Sequence, residues 1–281
     1  MKQTFSYSST EWGLILGASS GFGAATAKEL ARHGMNVIGV HFDRAATMPL
    51  VEKTIKEIES NGVKTRFFNI NATDAQKRNE TLDAVKKEFA SGPENTLRVL
   101  MHSLAFGSLN PLVSENASKC LSQAQVEMTL DVMANSLIYW TQGIVARSLM
   151  KRGGRIYAMT SSGGQSALMN YGAVSAAKAA LESYIRQLAL ELGPLGITAN
   201  AVLAGVTDTP ALRKIPGALK MLDVAKAKNP SMRNGTPEDV AKAIALLAHD
   251  DAYFLSGNVI RVDGGEDIVE FIGQKNAKEL E

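Results

Sequence analysis

The run Gly17-Ala18-Ser19-Ser20-Gly21-Phe22-Gly23 constrains this chain more than any other feature. It follows a strand-like apolar segment at residues 13–16 and leads into a helical pattern at 24–33. Glycines at these places let the backbone turn sharply and come close to a bulky group, and they keep the first turn of the helix free of side chains. The unpaired N–H groups of that helix start, at the positive end of its dipole, are suited to a pyrophosphate. Gly17, Ser19, Ser20, Gly21, Phe22 and Gly23 are therefore candidate contacts to a dinucleotide. Glycine-rich turns that hold no ligand share the spacing; what favours a ligand here is the β-α-β pattern that follows.

Beyond the turn, short apolar runs alternate with longer helical periods. Strands are expected at 36–42, 65–70, 97–102, 155–159, 198–203 and 259–262. Helices are expected at 49–61, 75–89, 173–192 and 237–248, with one long helix over 124–150. Alternation of this kind predicts an α/β fold: a doubly wound, mainly parallel sheet of the Rossmann type with helices on both faces. No linker, repeat or low-complexity tract divides it, so residues 1–281 are read as a single dinucleotide-binding catalytic domain. The irregular stretches 110–123 and 205–235 each follow a strand. That places them at the strand carboxyl ends, where such sheets bind ligands, and 205–235 is read as a substrate loop or lid.

Composition removes several functions. A formal net charge of +2 is too small for a protein that coats nucleic acid. Trp12 and Trp140 lack the basic, aromatic-interleaved neighbours of a base-stacking surface, so no nucleic-acid partner is expected. The single cysteine, Cys120, allows neither an intrachain disulfide nor a thiolate cluster. The lone His102 has no companion ligands in sequence, and no metal is expected. The polar start has no apolar signal-like core, and no run of about 18 apolar residues occurs, so the expected location is the cytoplasm, away from membrane. The polar start and the tail from Glu266 onward carry no assigned role.

The reacting groups are sought after the fifth strand. Tyr171 and Lys178 stand seven apart, and Ser161 precedes the tyrosine by ten positions. Residues seven apart share a helix face but lie about 10 Å apart along its axis, against about 6 Å for a pair four apart. The nearer station, four before Lys178, is held by Val174. Such a pair is common on helix faces by chance; its place after a strand, on an amphipathic helix, gives it the catalytic reading. Ser161 is a secondary polar contact or a structural hydroxyl. Asn135, on the long helix, holds a water or satisfies helix backbone groups.

The Gly-x-x-x-Gly-x-Gly spacing resembles the short-chain dehydrogenase/reductase superfamily. The resemblance runs from about residue 13 to 265 and takes in Asn71, Asn200-Ala201-Val202 and Val262-Asp263-Gly264-Gly265. Leu16, where a threonine is usual, and Ala204-Gly205, where Pro-Gly is usual, depart from it. The Tyr-x6-Lys spacing resembles the enoyl-acyl-carrier-protein reductases. His102-Ser103-Leu104-Ala105-Phe106 resembles one branch of those enzymes, and Val206-Thr207-Asp208-Thr209-Pro210-Ala211-Leu212 another. Asn135 and Ser161 also match a ketoreductase tetrad.

The resemblance implies NAD(P)H-dependent reduction of the trans-2 double bond of an enoyl thioester in fatty-acid synthesis. The alternatives are a 3-oxoacyl-thioester or other carbonyl reductase and, in another class, a non-catalytic dinucleotide-binding protein. Tyr171 would stabilise the enolate oxygen, and Lys178 would bind the nicotinamide ribose. Asn71, Ser103, Val206 and Thr209 would complete the cofactor site. His41 takes the usual place of the ribose-binding acid, with Asp43 and Arg44 just beyond it. Arg44 could pair with a 2′-phosphate, so the reading leans to NADPH over NADH. Phe106, Met169 and Leu212 are the candidate substrate contacts, unless the first two belong to the core. The apolar and basic residues of 211–233 suit an acyl chain on an acidic carrier protein, although an ordinary amphipathic helix looks the same. A homo-oligomer, dimer or tetramer, is expected through the helices at 124–150 and 173–192.

Overall fold

A computed structural model describes residues 5–92 and 94–270. The first four residues and 271–281, parts of the polar start and tail and of the expected domain span, lie outside the described residues. The strands are β1 (Glu11–Leu16), β2 (Asn36–His41), β3 (Thr65–Asn69), β4 (Thr96–His102), β5 (Arg155–Thr160), β6 (Thr198–Ala204) and β7 (Val259–Val262). All pair in parallel, in the order β3-β2-β1-β4-β5-β6-β7. The winding direction reverses between β1 and β4, which opens a crevice beyond their carboxyl ends.

Side chains that alternate along each strand feed two cores. Leu14, Leu16 and Leu100 pack with Leu82 and Val85 of α3 (Ala75–Ala90), Trp140 of α5 (Ser136–Ala146) and Leu181 and Ile185 of α6 (Gly172–Leu192). Ile15, Val99 and Met101 pack on the opposite face. Their neighbours are Ala27 and Leu30 of α1 (Gly21–Arg32), Ile58 of α2 (Met48–Glu59) and Val240 and Ile244 of α8 (Pro237–Leu247). Helices on both sides explain why the central strands are near-continuous apolar runs and not alternating ones.

The structure departs from the sequence pattern in two places. The helix expected over 124–150 is α4 (Gln123–Leu130), one π-helical turn (Asp131–Asn135) and α5, ending at Ala146. The hydroxyls of Thr129, Ser136 and Thr141 each donate to the carbonyl four residues back, which competes with the backbone ladder. The stretch 205–235 is not irregular throughout. It contains α7 (Ala218–Lys228), which opens after Gly217 in a left-handed conformation with φ 81°. Thr207 and Gly235 form a parallel bridge that joins the two ends of the stretch.

Packing is tightest at the first turn. A β-carbon on Gly23 would lie 2.1 Å from the Gly17 carbonyl oxygen, whereas one on Gly193 would meet nothing within 4 Å. Gly193 has a helical φ of −52°. Gly23→Ala is expected to lower stability by about 2–3 kcal/mol, and Gly193→Ala to stay within about 1 kcal/mol of the parent. Thermal melts of the two variants check this.

Candidate active site

The turn after β1 is held open by its neighbours. Gly17 N–H and Ala18 N–H donate to the Val40 carbonyl at 2.8 and 3.1 Å, and Ser103 N–H donates to the Leu16 carbonyl at 2.9 Å. Gly17 has φ 92°, and a β-carbon there would lie 2.5 Å from the Ser103 carbonyl oxygen. Ser20 caps α1 without a side-chain hydrogen bond, and the first turn of α1 has no acidic residue. Thr209 closes over the turn, its Cγ2 3.6 Å from the place of a β-carbon on Gly21. A cradle bare of side chains, facing an uncapped helix start, fits the diphosphate of NAD(P). Phe22 is half-buried against the α1/α8 core, so its side chain anchors the turn.

The end of β2 carries the charged pair. The Asp43 carboxylate accepts from Thr47 Oγ1 at 2.8 Å and lies 3.1 Å from His41 Nδ1. Burial pushes the Asp43 carboxyl up, but hydrogen bonds from Ser19, Thr47 and His41 outweigh it and hold it below its ordinary range. Ser19 thus links Asp43 to the glycine turn. Arg44 is exposed on the next residue. Asn71 lies just past β3, exposed, and its Oδ1 accepts from the Thr73 N–H and hydroxyl at 3.1 and 2.9 Å.

Tyr171 precedes the first residue of α6, after Asn170 in a left-handed conformation with φ 62°. The chain therefore bends immediately before the tyrosine, and its ring folds back on the turn after β5. A β-carbon on Gly163 would lie 2.6 Å from Tyr171 Cε1, and one on the adjoining Gly164 would lie 3.3 Å from Lys178 Cβ. Two consecutive glycines therefore separate and seat the two side chains. Burial raises the Tyr171 phenol above its usual range, while its interaction with Ser161 pulls the other way. Ser161 Oγ is buried and has no hydrogen-bond partner, although it lies near enough to Tyr171 to influence the phenol. Lys178 Nζ donates to the Met159 carbonyl at 2.7 Å. Burial pushes Lys178 down to about 8, with Glu182 acting in the opposite sense.

The Asn135 side chain is engaged by a residue of α6. It lies in the π turn and its Oδ1 accepts from the Tyr184 hydroxyl at 2.9 Å. With Ala124, Glu127, Met128, Leu130 and Asp131 it lines a groove of about 440 Å³. Ser136, its neighbour, turns inward instead, its Oγ 2.8 Å from His102 Nε2. Burial and the nearby Lys178 charge push His102 down to about 3, so the imidazole is neutral.

Sequence reasoning missed Gly163, Gly164 and Glu266. Glu266 is buried, and both of its carboxylate oxygens accept from Val206 N–H, at 3.1 and 3.2 Å. Burial raises its carboxyl, partly offset by that N–H. The backbone donor expected to face the cofactor at Val206 is thus engaged by Glu266. The signal available in sequence was an acid directly after Asp263-Gly264-Gly265. Thr209 Oγ1 accepts from Leu212 N–H at 3.1 Å. Phe106 and Met169 are 59% and 88% exposed, which removes the core alternative for both, and Leu212 is half-buried. Lys214 Nζ stands 5.8 Å from the Phe106 ring centre.

Among the described residues, no three His, Cys, Asp or Glu cluster as a metal site would require. None of the described helices is long and apolar enough to cross a membrane.

The parallel seven-stranded sheet, the glycine cradle and the tyrosine–lysine pair define a short-chain dehydrogenase/reductase, an NAD(P)-dependent oxidoreductase. Within that class, the profile of the family described as enoyl-(acyl carrier protein) reductase matches residues 17–266, and the chain belongs to that family. The chain is 30% identical over 266 residues to a cyclohexanol dehydrogenase of Rhodococcus sp., covering 90% of this chain and 94% of the relative. It is 31% identical over 218 residues to an NADH-dependent enoyl-acyl-carrier-protein reductase of Nostoc sp., covering 78% and 81%. The enoyl-acyl-carrier-protein reductase of Anaplasma phagocytophilum, solved with NAD, has a similar fold. Its TM-score is 0.78 at 24% identity, over 95% of this chain and 94% of that one.

Read as the ribose-binding cation, Lys178 is expected to set an alkaline limit. The charged form is lost as pH rises through about 8, so kcat/KM for the cofactor is expected to fall with a midpoint near that pH. A Lys178→Met variant, weak throughout, should lack this limb. Stability moves the other way. Between about 8 and the ordinary 10.5 the unfolded chain keeps a proton that the native lysine has released, so the lysine's burden on the fold is relieved as pH rises. Rate profiles and melts over pH 6–10 measure both.

Proposed function

We propose that this chain reduces the trans-2 double bond of enoyl thioesters with NAD(P)H. The observation that carries the reading is the station of the proton-donating group. Val174, four before Lys178, is buried in the apolar core, and Tyr171 sits a turn farther out at the start of α6. In an enoyl thioester the oxygen that gathers charge lies three bonds from the carbon that is reduced. In a ketone it is bonded to that carbon. A phenol set back by one turn suits the first geometry.

NAD(P)H supplies a hydride when bound. The protein's own part is electrostatic and positional. Tyr171, kept neutral by burial, donates a hydrogen bond to the developing enolate oxygen. Lys178 is placed to hold the ribose hydroxyls and biases the site toward anions. Ser161 orients the phenol. The glycine turn, the start of α1 and Thr209 hold the diphosphate, Asn71 lies toward the adenine end, and Ser103 and Val206 border the nicotinamide end. Asn135, bound to Tyr184, supports the helix.

Phe106, Leu112, Met169 and Leu212 give the mouth an apolar rim for an acyl chain, with 205–235 as its lid. Arg213 and Arg233 are already paired with Asp208 and Asp239. Attraction for an acidic acyl carrier protein therefore falls to Lys214, Lys220, Lys226 and Lys228. A cytoplasmic homo-oligomer, dimer or tetramer, built on α4, α5 and α6 completes the reading. For the cofactor, the geometry favours NADH over the NADPH that Arg44 indicated in sequence. A carboxylate tied to the turn through Ser19 suits a ribose diol and repels a 2′-phosphate.

Ser161 beside Tyr171 keeps a second reading, carbonyl reduction, which the likeness to a cyclohexanol dehydrogenase also supports. Turnover of crotonyl-thioester against acetoacetyl-thioester decides between them; rapid ketone reduction with no enoyl turnover overturns the first. Tyr171→Phe is expected to lower kcat on the enoyl substrate by about 10²–10³-fold with cofactor affinity unchanged. Bound cofactor together with undiminished turnover would point to another donor. Asp43→Ser is expected to raise NADPH use at least about tenfold relative to NADH, and Arg44→Ala to leave the ratio near that of the parent. Steady-state kinetics with both cofactors tests the pair.

A further inference from the structure

The last two residues of β5 and the one after them each engage a side chain of α6 or of its head. The Met159 carbonyl accepts from Lys178 Nζ at 2.7 Å, the Thr160 hydroxyl donates to Glu182 Oε1 at 2.6 Å, and Ser161 acts on the Tyr171 phenol. The middle contact brings in a carboxylate with no part in the chemistry so far. Glu182 is 6% exposed and Lys178 5%. They stand four apart on α6, on one face and about 6 Å along its axis. Glu182 Oε1 and Lys178 Cβ lie 3.2 and 3.3 Å from the place of a β-carbon on Gly164, so the glycine turn covers both.

A buried carboxylate bonded to a neutral hydroxyl is costly unless a cation stands near it, and a buried ammonium bonded to a carbonyl needs an anion in the same way. Burial disfavours the Lys178 cation, and the Glu182 charge favours it. The other groups that face Lys178 supply no negative charge. His102, from β4, is neutral. Tyr171, at the head of α6, is neutral as well. The turn 161–164 is Ser-Ser-Gly-Gly. Glu127 and Asp131, on the helical turns packed against α6, line the outer groove with Asn135, and Asp131 interacts with Tyr139. Each charged end of the Lys178 and Glu182 pair is held by the strand. An ammonium has three N–H donors, and the Met159 carbonyl takes one. A direct salt bridge would take another, whereas a charge one helical turn away takes none.

We infer that Glu182 is a positioning residue that acts through Lys178. Its carboxylate, tethered to β5 by Thr160, keeps the buried ammonium charged from one turn away and leaves the remaining N–H groups for the ribose hydroxyls. This role rests on the reading of Lys178 as the ribose-binding cation, and it is the same for an enoyl and for a carbonyl substrate.

The test is the NADH affinity of the full chain, followed by fluorescence titration across the alkaline range. In the parent, affinity is expected to fall as pH rises through about 8. Glu182→Gln keeps the shape and the acceptor for Thr160 but removes the charge, and should move that fall to lower pH by about one unit. Glu182→Asp, which keeps the charge, should bring it back toward the parent position. A Glu182 with a merely structural part would weaken binding at every pH and leave the midpoint in place, and that result overturns the inference. Lys178→Met separates the two levels. A fall that Lys178→Met abolishes and Glu182→Gln leaves unmoved overturns the role of Glu182 alone. A fall that survives in Lys178→Met overturns the reading of Lys178 and the role of Glu182 with it. Should Glu182→Gln not fold, carbon-13 NMR of the parent decides. The Glu182 carboxyl signal is expected to respond as Lys178 loses its proton, and a signal constant through that range sinks the proposal.

Discussion

The mutual approach of three backbone segments governs this protein. Gly17 faces the Ser103 carbonyl, Gly23 lies under the Gly17 carbonyl, and Val40 ties the turn to the second strand. Side chains are excluded from that junction, so the start of α1, the ends of β1 and β4 and the loop carrying Thr209 meet as bare backbone and small residues. Everything that recognises a dinucleotide follows from that exclusion. The N–H groups at the start of α1 have no side-chain cap, and the crevice lies where the order of strands reverses. The remainder of the sheet holds these edges in register.

Much of this could be read from residue pattern alone. The glycine turn and the alternation of apolar runs with amphipathic segments are local and periodic, and they placed all seven strands and the main helices. What escaped notice has no periodic signature. The π turn at Asp131–Asn135 arises from hydroxyls bonding back to carbonyls, which leaves the apolar rhythm intact. The helix α7 follows Pro216-Gly217, residues that ordinarily announce a loop. Asn135 is diverted by Tyr184, a partner 49 positions away. Glu266 reads as the start of a polar tail until the fold brings it to Val206.

The candidate pair shows how a spacing becomes a geometry. Seven positions on an uninterrupted helix would hold the phenol and the ammonium a fixed distance apart. The helix here begins only after Tyr171, and the left-handed Asn170 turns the chain before it. The tyrosine is therefore placed by a bend and by the Gly163-Gly164 turn, and the lysine by the helix itself. Their separation is set by two different elements, so each can be moved by substitutions that leave the other in place.

The bridge between Thr207 and Gly235 brings the two ends of a long excursion together, while Asn229 Nδ2 fastens its far part to the Asp263 carbonyl at 2.7 Å. An insertion closed at its base spends little additional chain entropy on its length. It can exchange sequence without passing strain to the strands below. On the proposed reading of this stretch as a lid, it is in this sense a replaceable cassette, and selection acting on it alone would redirect one unchanged reducing apparatus toward new molecules.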